Sequence, residues 1–245
     1  MSYLTFHAIF ILPPIALLSL LVWRRDTVRI DSFGYDARWV GLGIIITLAV
    51  LYTTPWDNYL ILRGVWWYGD GTTAFHIWAA PIGEYLFFVL QPILTGLWLY
   101  LIADRPADFA FGDITTGQRL AGLGAAGVVG ALSVWLLLLG PQGLYMGSLL
   151  LWSVPILAIQ WAFGWPYLWK VRRLCLLAIV PPTLYLWAVD WYAITVEGIW
   201  TISAEHTLGP APASLPLEEM TFFLLTNVFV VQGLVMYLWI ADRWL

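Results

Sequence analysis

Seven long apolar segments follow one another along this chain, at about 3–23, 39–54, 82–103, 120–139, 145–163, 174–190 and 218–241. Most of them approach the ~20 residues that a helix needs to cross the hydrocarbon core of a bilayer. Only helices and closed barrels satisfy their own backbone polar groups there. The chain is therefore predicted to be an all-α, polytopic membrane protein with seven transmembrane helices, of which the second and sixth are short.

Composition supports a membrane protein and excludes several classes of function. Only 11% of the 245 residues are charged, against about 25% in soluble domains. A net charge of −4 offers no basic surface for nucleic acid. The single Cys175 excludes an intramolecular disulfide and a cysteine metal cluster, and the three histidines lack metal-ligand spacing, so no metal site is predicted.

Basic residues are distributed unevenly between the two faces of the predicted bundle. All except Arg63 follow the odd-numbered helices: Arg24, Arg25, Arg29, Arg38, Arg105, Arg119, Lys170, Arg172, Arg173 and Arg243. Positive residues concentrate on the cytoplasmic side of membrane proteins. We therefore expect a multi-pass protein of the cell membrane, with its N-terminus outside and its C-terminus in the cytoplasm. The first segment, which no basic residue precedes, is predicted to be a retained helix.

Two stretches of the sequence are copies of one another. The first contains Asp57, Gly64-Val65-Trp66 and Pro81-Ile82-Gly83-Glu84, and the second contains Asp190, Gly198-Ile199-Trp200 and Pro216-Leu217-Glu218-Glu219. The offset between the copies is 133 residues at Asp, 134 at Gly and 135 at Pro. Such self-similarity predicts two structural repeats.

The repeats are predicted to have the same orientation in the membrane. Helices one to three (residues 1–105) form the first unit and helices five to seven (143–245) the second. Each unit crosses the membrane three times, so one further crossing between them, a connector helix within 106–142, makes them parallel. Their acidic motifs can then converge at one depth.

The glutamates Glu84, Glu218 and Glu219 are the candidate catalytic residues. Each falls in a predicted first helical turn, where a carboxylate can simply stabilise the helix dipole. Two copies in register, and the cost of burying a carboxylate in a membrane, favour a functional role. Adjacent helical residues point about 100° apart, so Glu218 and Glu219 cannot both face one groove, and the register pairs Glu219 with Glu84.

Other residues of the repeated motifs are candidates for supporting roles. Asp57, Asn58 and Asp190 lie where helices two and six are expected to end, so they are either supporting polar groups or ordinary polar helix ends. Arg63 and Glu197 share a repeat position and are expected to form an ion pair between the units. The aromatic residues beside the acids could stabilise a carbocation or contact substrate: Trp66, Trp200, Tyr192, Phe88 and Phe223.

The order of these motifs resembles the membrane lycopene β-cyclases of archaea, actinobacteria and fungi, over nearly the whole chain. In that family two homologous units occur as separate subunits or fused, and this chain is similar to the fused form. The Pro-x-Glu-Glu motif of the family is intact at Pro216, Glu218 and Glu219. In the first unit Gly83 replaces its first glutamate, so the two halves are expected to have unequal roles.

The resemblance implies conversion of lycopene through a monocyclic intermediate to β-carotene, a net isomerisation that needs no redox cofactor. It further implies that Glu218 and Glu219 donate or return a proton, with Glu84 as the complementary acid or base. The expected partners are lycopene and related carotenoids, the lipid bilayer and other enzymes of the carotenoid pathway. Which glutamate donates stays open.

Two alternative functions remain on the sequence alone. A carotenoid hydratase would form the same type of cation but capture it with water, and a transporter could use intramembrane acids in a parallel repeat. A retinal-binding protein would need a lysine in its last helix, whereas the only lysine is Lys170, in a predicted loop.

Overall fold

The computed structural model describes residues 1–25, 30–32 and 35–244, and within them seven helices are long and apolar enough to cross a membrane. They are α1 (Tyr3–Arg25), α2 (Ala37–Leu62), α3 (Ile82–Ile102), α4 (Thr116–Leu137), α5 (Leu144–Lys170), α6 (Arg172–Thr195) and α7 (Leu217–Trp244). The predicted seven-helix membrane fold is confirmed. Arg29 lies outside the described residues.

Helices α2 and α6 are not short, contrary to the sequence prediction. They contain 26 and 24 residues, because each continues past the polar residues at which it was expected to end. Asp57 and Asp190 therefore lie inside their helices. Their side chains are 3% and 1% exposed, so both are surrounded by protein. The interpretation of these two aspartates as ordinary polar helix ends is therefore wrong.

Helices α3 and α7 occupy the centre of the bundle. In each of them 56% of the apolar stretch is buried, compared with 17% in α2 and 22% in α1 and α4. These central helices carry Glu84 and Glu219 in their first turns, as predicted. The peripheral α4 packs along α5, where Ser133 Oγ donates to the Gly147 carbonyl over 2.7 Å. That α4 connects two repeats stays a prediction.

Short strands and 3₁₀ turns complete the described fold. The strands form three antiparallel pairs: β1 (Asp31–Ser32) with β2 (Tyr35–Asp36), β3 (Trp66–Tyr68) with β6 (Trp200–Ile202), and β4 (His76–Ile77) with β5 (Ala80–Pro81). The 3₁₀ turns are Phe111–Asp113, Pro141–Gly143, Ala204–His206 and Pro212–Ser214.

The β3–β6 pair joins the two copies of the repeated Gly-x-Trp motif. Trp66 lies opposite Ile202, and Tyr68 lies opposite Trp200. Gly64 and Gly198 precede the strands with φ angles of +70° and +58°, a left-handed conformation that glycine adopts without a Cβ clash. The repeated glycine therefore turns the chain from helix to strand in both copies.

Candidate active site

Four carboxyl side chains from four different helices line one cavity at the α3 and α7 N-termini. They are Asp57 on α2, Glu84 on α3, Asp190 on α6 and Glu219 on α7. The cavity leaves about 50 Å³ of space for water-sized molecules, and the rest of its lining is aromatic and aliphatic apart from the polar groups of its tyrosines and tryptophans. The acids of the two motifs therefore converge, as the repeat in the sequence predicts.

Glu84 is held by a tyrosine hydroxyl. Tyr68 Oη donates to Glu84 Oε1 over 2.7 Å, and Trp66 Nε1 donates to Tyr68 Oη over 3.2 Å. Tyr3, at the start of α1, lines the same cavity as Glu84. Burial and the neighbouring Glu84 carboxylate raise the pKa of Tyr68 well above its usual value, so this phenol stays a neutral donor.

Glu219 has a corresponding partner on the other side of the cavity. Tyr145 Oη, at the start of α5, donates to Glu219 Oε1 over 2.7 Å. The Tyr145 ring packs against Trp66, with the ring centroids 5.4 Å apart. Each of the two glutamates thus accepts a hydrogen bond from a tyrosine, Glu84 from Tyr68 and Glu219 from Tyr145.

Asp57 and Asp190 have carboxyl oxygens that accept no hydrogen bond of normal geometry from a described residue. One oxygen of Asp57 and both oxygens of Asp190 are buried without a hydrogen-bond partner of normal geometry. None of the described residues that line the cavity is a lysine or an arginine. Four negative charges without a cation would repel one another strongly, so this arrangement favours carboxyls that hold and exchange protons.

Glu218 does not line the cavity, although it is 0% exposed. Its Oε1 accepts a hydrogen bond from the Leu208 backbone N–H over 2.8 Å. This agrees with the argument that adjacent glutamates cannot face one groove, and Glu219 is the one that faces the cavity. Glu218 thus links the first turn of α7 to the loop that precedes this helix.

Asn58 supports the loop between α2 and α3. Its Oδ1 accepts hydrogen bonds from the backbone N–H groups of Ala79 and Ala80 over 2.8 and 2.9 Å, next to strand β5. Its side-chain amide also donates to the Thr54 carbonyl on the same helix. Asn58 therefore positions Pro81 and the start of α3 rather than lining the cavity.

Tyr192 lies outside the cavity lining and donates to Glu197 Oε1 over 2.9 Å. Glu197 Oε2 pairs with the Met1 ammonium at 2.7 Å. Hydrogen bonds from that ammonium and from Tyr192 lower the pKa of Glu197. The expected Arg63–Glu197 ion pair is wrong, since Arg63 instead donates to Tyr59 on its own helix.

The aromatic candidates divide between two places. Trp66, Trp200 and Phe223 line the acid cavity, and the Trp200 ring lies 4.9 Å from the Tyr3 ring, centroid to centroid. Phe88 instead lines a larger apolar groove beside the cavity. The two tryptophans therefore place aromatic surfaces among the acids.

Gly83 is required by the position of Tyr3. A Cβ built at Gly83 would lie 2.3 Å from the Tyr3 ring, far inside van der Waals contact. Any side chain at position 83 would therefore displace the Tyr3 ring from the lining of the acid cavity.

Four further residues of the site are not among the candidates predicted from the sequence: Tyr3, Tyr68, Tyr145 and Trp56. Tyr68 follows the repeated Gly-x-Trp motif by two residues, and Trp56 directly precedes Asp57. Tyr3 and Tyr145 both begin helices that lead a predicted repeat. Position relative to the repeat was the available signal for all four.

Comparison with known proteins identifies the family of this chain. It is 46% identical over 244 residues to the lycopene beta-cyclase of Halobacterium salinarum, with 99% of this chain and 98% of the relative covered. The chain belongs to the lycopene β-cyclase family.

Fungal relatives extend this family assignment. The chain is 35% identical to a bifunctional lycopene cyclase/phytoene synthase of Leptosphaeria maculans, covering 95% of this chain and 40% of the relative. The corresponding protein of Aspergillus oryzae is 32% identical, covering 96% and 39%. No family model and no solved structure matches this lycopene β-cyclase family member.

Proposed function

We propose that this chain converts lycopene through a one-ring intermediate to β-carotene by acid–base cyclisation. The observation that carries the proposal is the pair of tyrosine-bound glutamates, Glu84 and Glu219, in one cavity with aromatic walls. The lycopene β-cyclase of Halobacterium salinarum, similar over its full length, supports the choice of substrate and reaction.

The cyclisation needs one acid and one base. A carboxylic acid adds its proton to the terminal double bond of the polyene, and a tertiary carbocation forms. The neighbouring double bond attacks the cation and closes a six-membered ring, and a carboxylate then removes a proton from the ring. One proton enters and one leaves, so the product has the mass of the substrate and no electron is transferred.

Glu219 and Glu84 are the proposed acid and base. Their hydrogen bonds from Tyr145 and Tyr68 fix the carboxyl groups, which reduces the entropy lost on reaching the reactive geometry. Asp57 is proposed to support them by exchanging protons within the carboxyl cluster. Asp190 shares this supporting role.

Trp66 and Trp200 are the proposed cation-stabilising groups. An aromatic face attracts a cation without offering a nucleophile that would trap it. Both indoles line the same cavity as the four carboxyls. The small space left in the cavity, about 50 Å³, also limits the water available to capture the cation.

Both predicted repeats contribute to the one cavity, which favours a single site for both ends of the substrate. The units at 1–105 and 143–245 would each supply one glutamate, one aspartate and the tryptophan of the Gly-x-Trp motif. We propose that the two polyene ends visit this cavity one after the other. The β3–β6 pairing of the two copies supports a local twofold relation between the units.

We further propose that this protein lies in the cell membrane with its N-terminus outside and its C-terminus in the cytoplasm. The basic residues that follow odd-numbered helices support this orientation. The carboxyl cavity would then lie near the outer face. Association with other carotenoid-pathway enzymes is part of the same proposal.

The proposed function is tested by expressing the chain in a bacterium that accumulates lycopene. The extracted pigments are separated by chromatography and identified by mass. β-Carotene at unchanged mass is expected. A product heavier by one water per modified end would replace the proposal with a hydratase, and unchanged lycopene beside folded membrane protein would overturn it.

A further inference from the structure

A second, larger apolar groove lies beside the acid cavity, between α2, α3, α5 and α7. It has a volume of about 500 Å³, and its lining is almost entirely hydrocarbon and aromatic. We infer that this groove holds the polyene tail of the substrate molecule whose end occupies the acid cavity. This inference rests on the proposed function and adds a binding site for the unreacted part of the substrate.

The groove begins where the acid cavity ends. Phe87 on α3 and Phe222 on α7 line both spaces. Each lies three residues after the glutamate of its helix, and residues three apart share a helix face. On α2, the groove residue Thr53 lies four residues before Asp57. Three helices that carry cavity acids therefore continue into the groove on the same face.

On α7 the groove follows one stripe of the helix along most of its length. The stripe comprises Phe222, Thr226, Phe229, Gly233, Tyr237 and Ile240. At about 1.5 Å per residue, the distance from Phe222 to Ile240 is ~27 Å. This is close to the ~30 Å of a bilayer hydrocarbon core, so the groove suits a long, straight, unbranched path across the membrane.

The chemistry of the two connected spaces favours a polyene over a membrane phospholipid. A phospholipid chain in the groove could place its anionic headgroup near the carboxyl cluster only at an electrostatic cost, since no described lysine or arginine lines that cavity. Lycopene is uncharged at both ends. Its reacting end can enter the acid cavity while its remaining length contacts the apolar groove.

The groove makes the two cyclisations different from one another. When the first end reacts, the end near Ile240 is an open chain. When the second end reacts, the molecule is reversed and the ring already formed lies near Ile240. This end of the groove must therefore admit a ring in the second reaction only, and narrowing it should stop the pathway at the one-ring product.

Three matched Ile→Trp variants test the inference in a lycopene-accumulating bacterium. Ile240→Trp narrows the far end of the groove, and Ile159→Trp obstructs its middle from a position that is 71% exposed. Ile44→Trp is the control, because Ile44 is 45% exposed and does not line the groove. The amounts of lycopene, one-ring and two-ring product are divided by the amount of protein in the membrane.

Ile240→Trp should raise the ratio of one-ring to two-ring product by about tenfold, the effect of a moderately overpacked site, while consumption of lycopene continues. Ile159→Trp should reduce both steps, and Ile44→Trp should match the wild type. If Ile240→Trp leaves the membrane fraction, Tyr237→Trp narrows the same end with a smaller change in volume.

An unchanged product ratio in a far-end variant that stays in the membrane, Ile240→Trp or Tyr237→Trp, with wild-type β-carotene formation intact, would overturn the groove inference and leave the proposed function standing. Absence of β-carotene from the wild type would instead contradict the proposed function itself. A lipid chain as the sole occupant predicts the first of these outcomes. The two failures are thus distinguishable in one set of cultures.

Discussion

Removing the Tyr145 hydroxyl tests the contribution of one hydrogen bond in the proposed catalytic centre. Tyr145 is 2% exposed, and its hydroxyl lies 2.7 Å from Glu219 Oε1. Tyr145→Phe deletes this donor but keeps the ring that packs on Trp66. A buried hydrogen bond to a charged group contributes about 1.5–3 kcal/mol, so the cyclisation rate should fall by about 10- to 150-fold.

The rate is best measured in membranes that contain the variant and a fixed amount of lycopene. Samples taken over time are analysed for lycopene, one-ring and two-ring products, and the initial rate is divided by the amount of membrane protein. Tyr185→Phe is the matched control, because the Tyr185 hydroxyl donates to the Phe10 carbonyl and does not line the acid cavity. The control should change the rate less than threefold, the effect of a modest neutral hydrogen bond.

A full cyclisation rate in Tyr145→Phe would refute the reasoning that tyrosine donors fix the reacting carboxyls. Equal losses in Tyr145→Phe and Tyr185→Phe would also refute it, because they would indicate a general loss of helix packing. A loss of cyclisation rate confined to Tyr145→Phe would support the conclusion that this hydrogen bond positions Glu219 for the reaction.

Three further variants test other parts of the site. Tyr68→Phe should slow cyclisation by about tenfold through Glu84, the effect of ~1.4 kcal/mol, and a wild-type rate would remove Tyr68 from the centre. Gly83→Ala should reduce activity and thermal stability, since its Cβ meets the Tyr3 ring at 2.3 Å; wild-type melting and activity would contradict that contact. Tyr192→Phe should cyclise lycopene at the wild-type rate, and a large loss of rate would indicate that Tyr192 contacts the substrate.

The membrane fold was predictable because a bilayer demands long apolar helices, and the seven segments in the sequence meet that demand. The convergence of Glu84 and Glu219 was predictable from the nearly constant offset between the two copies of the motif. The helix ends were not, because Asp57 and Asp190 are polar in sequence yet buried in the fold. Sequence does not reveal that protein rather than water or lipid surrounds them.

The tyrosines were missed for a different physical reason. Tyrosine near the end of a membrane helix is usually an interfacial anchor, so Tyr3 and Tyr145 gave no distinctive signal. The Tyr145 hydroxyl bonds to Glu219, which is 74 residues away in the chain, and Tyr3 lines the same cavity as Glu84, which is 81 residues away. Only the packing of the helices brings these partners together, and the same packing accounts for Gly83.

The most direct test of the central claim compares two neighbouring glutamates on α7. Glu219 lines the carboxyl cavity, whereas Glu218 bonds to the Leu208 backbone outside it. Glu219→Gln and Glu218→Gln are expressed separately in the lycopene-accumulating bacterium, and pigments are divided by membrane protein. Glu219→Gln should form no β-carotene, and Glu218→Gln should retain cyclisation per folded molecule. Full activity in Glu219→Gln would contradict the assignment of cyclisation to this cavity.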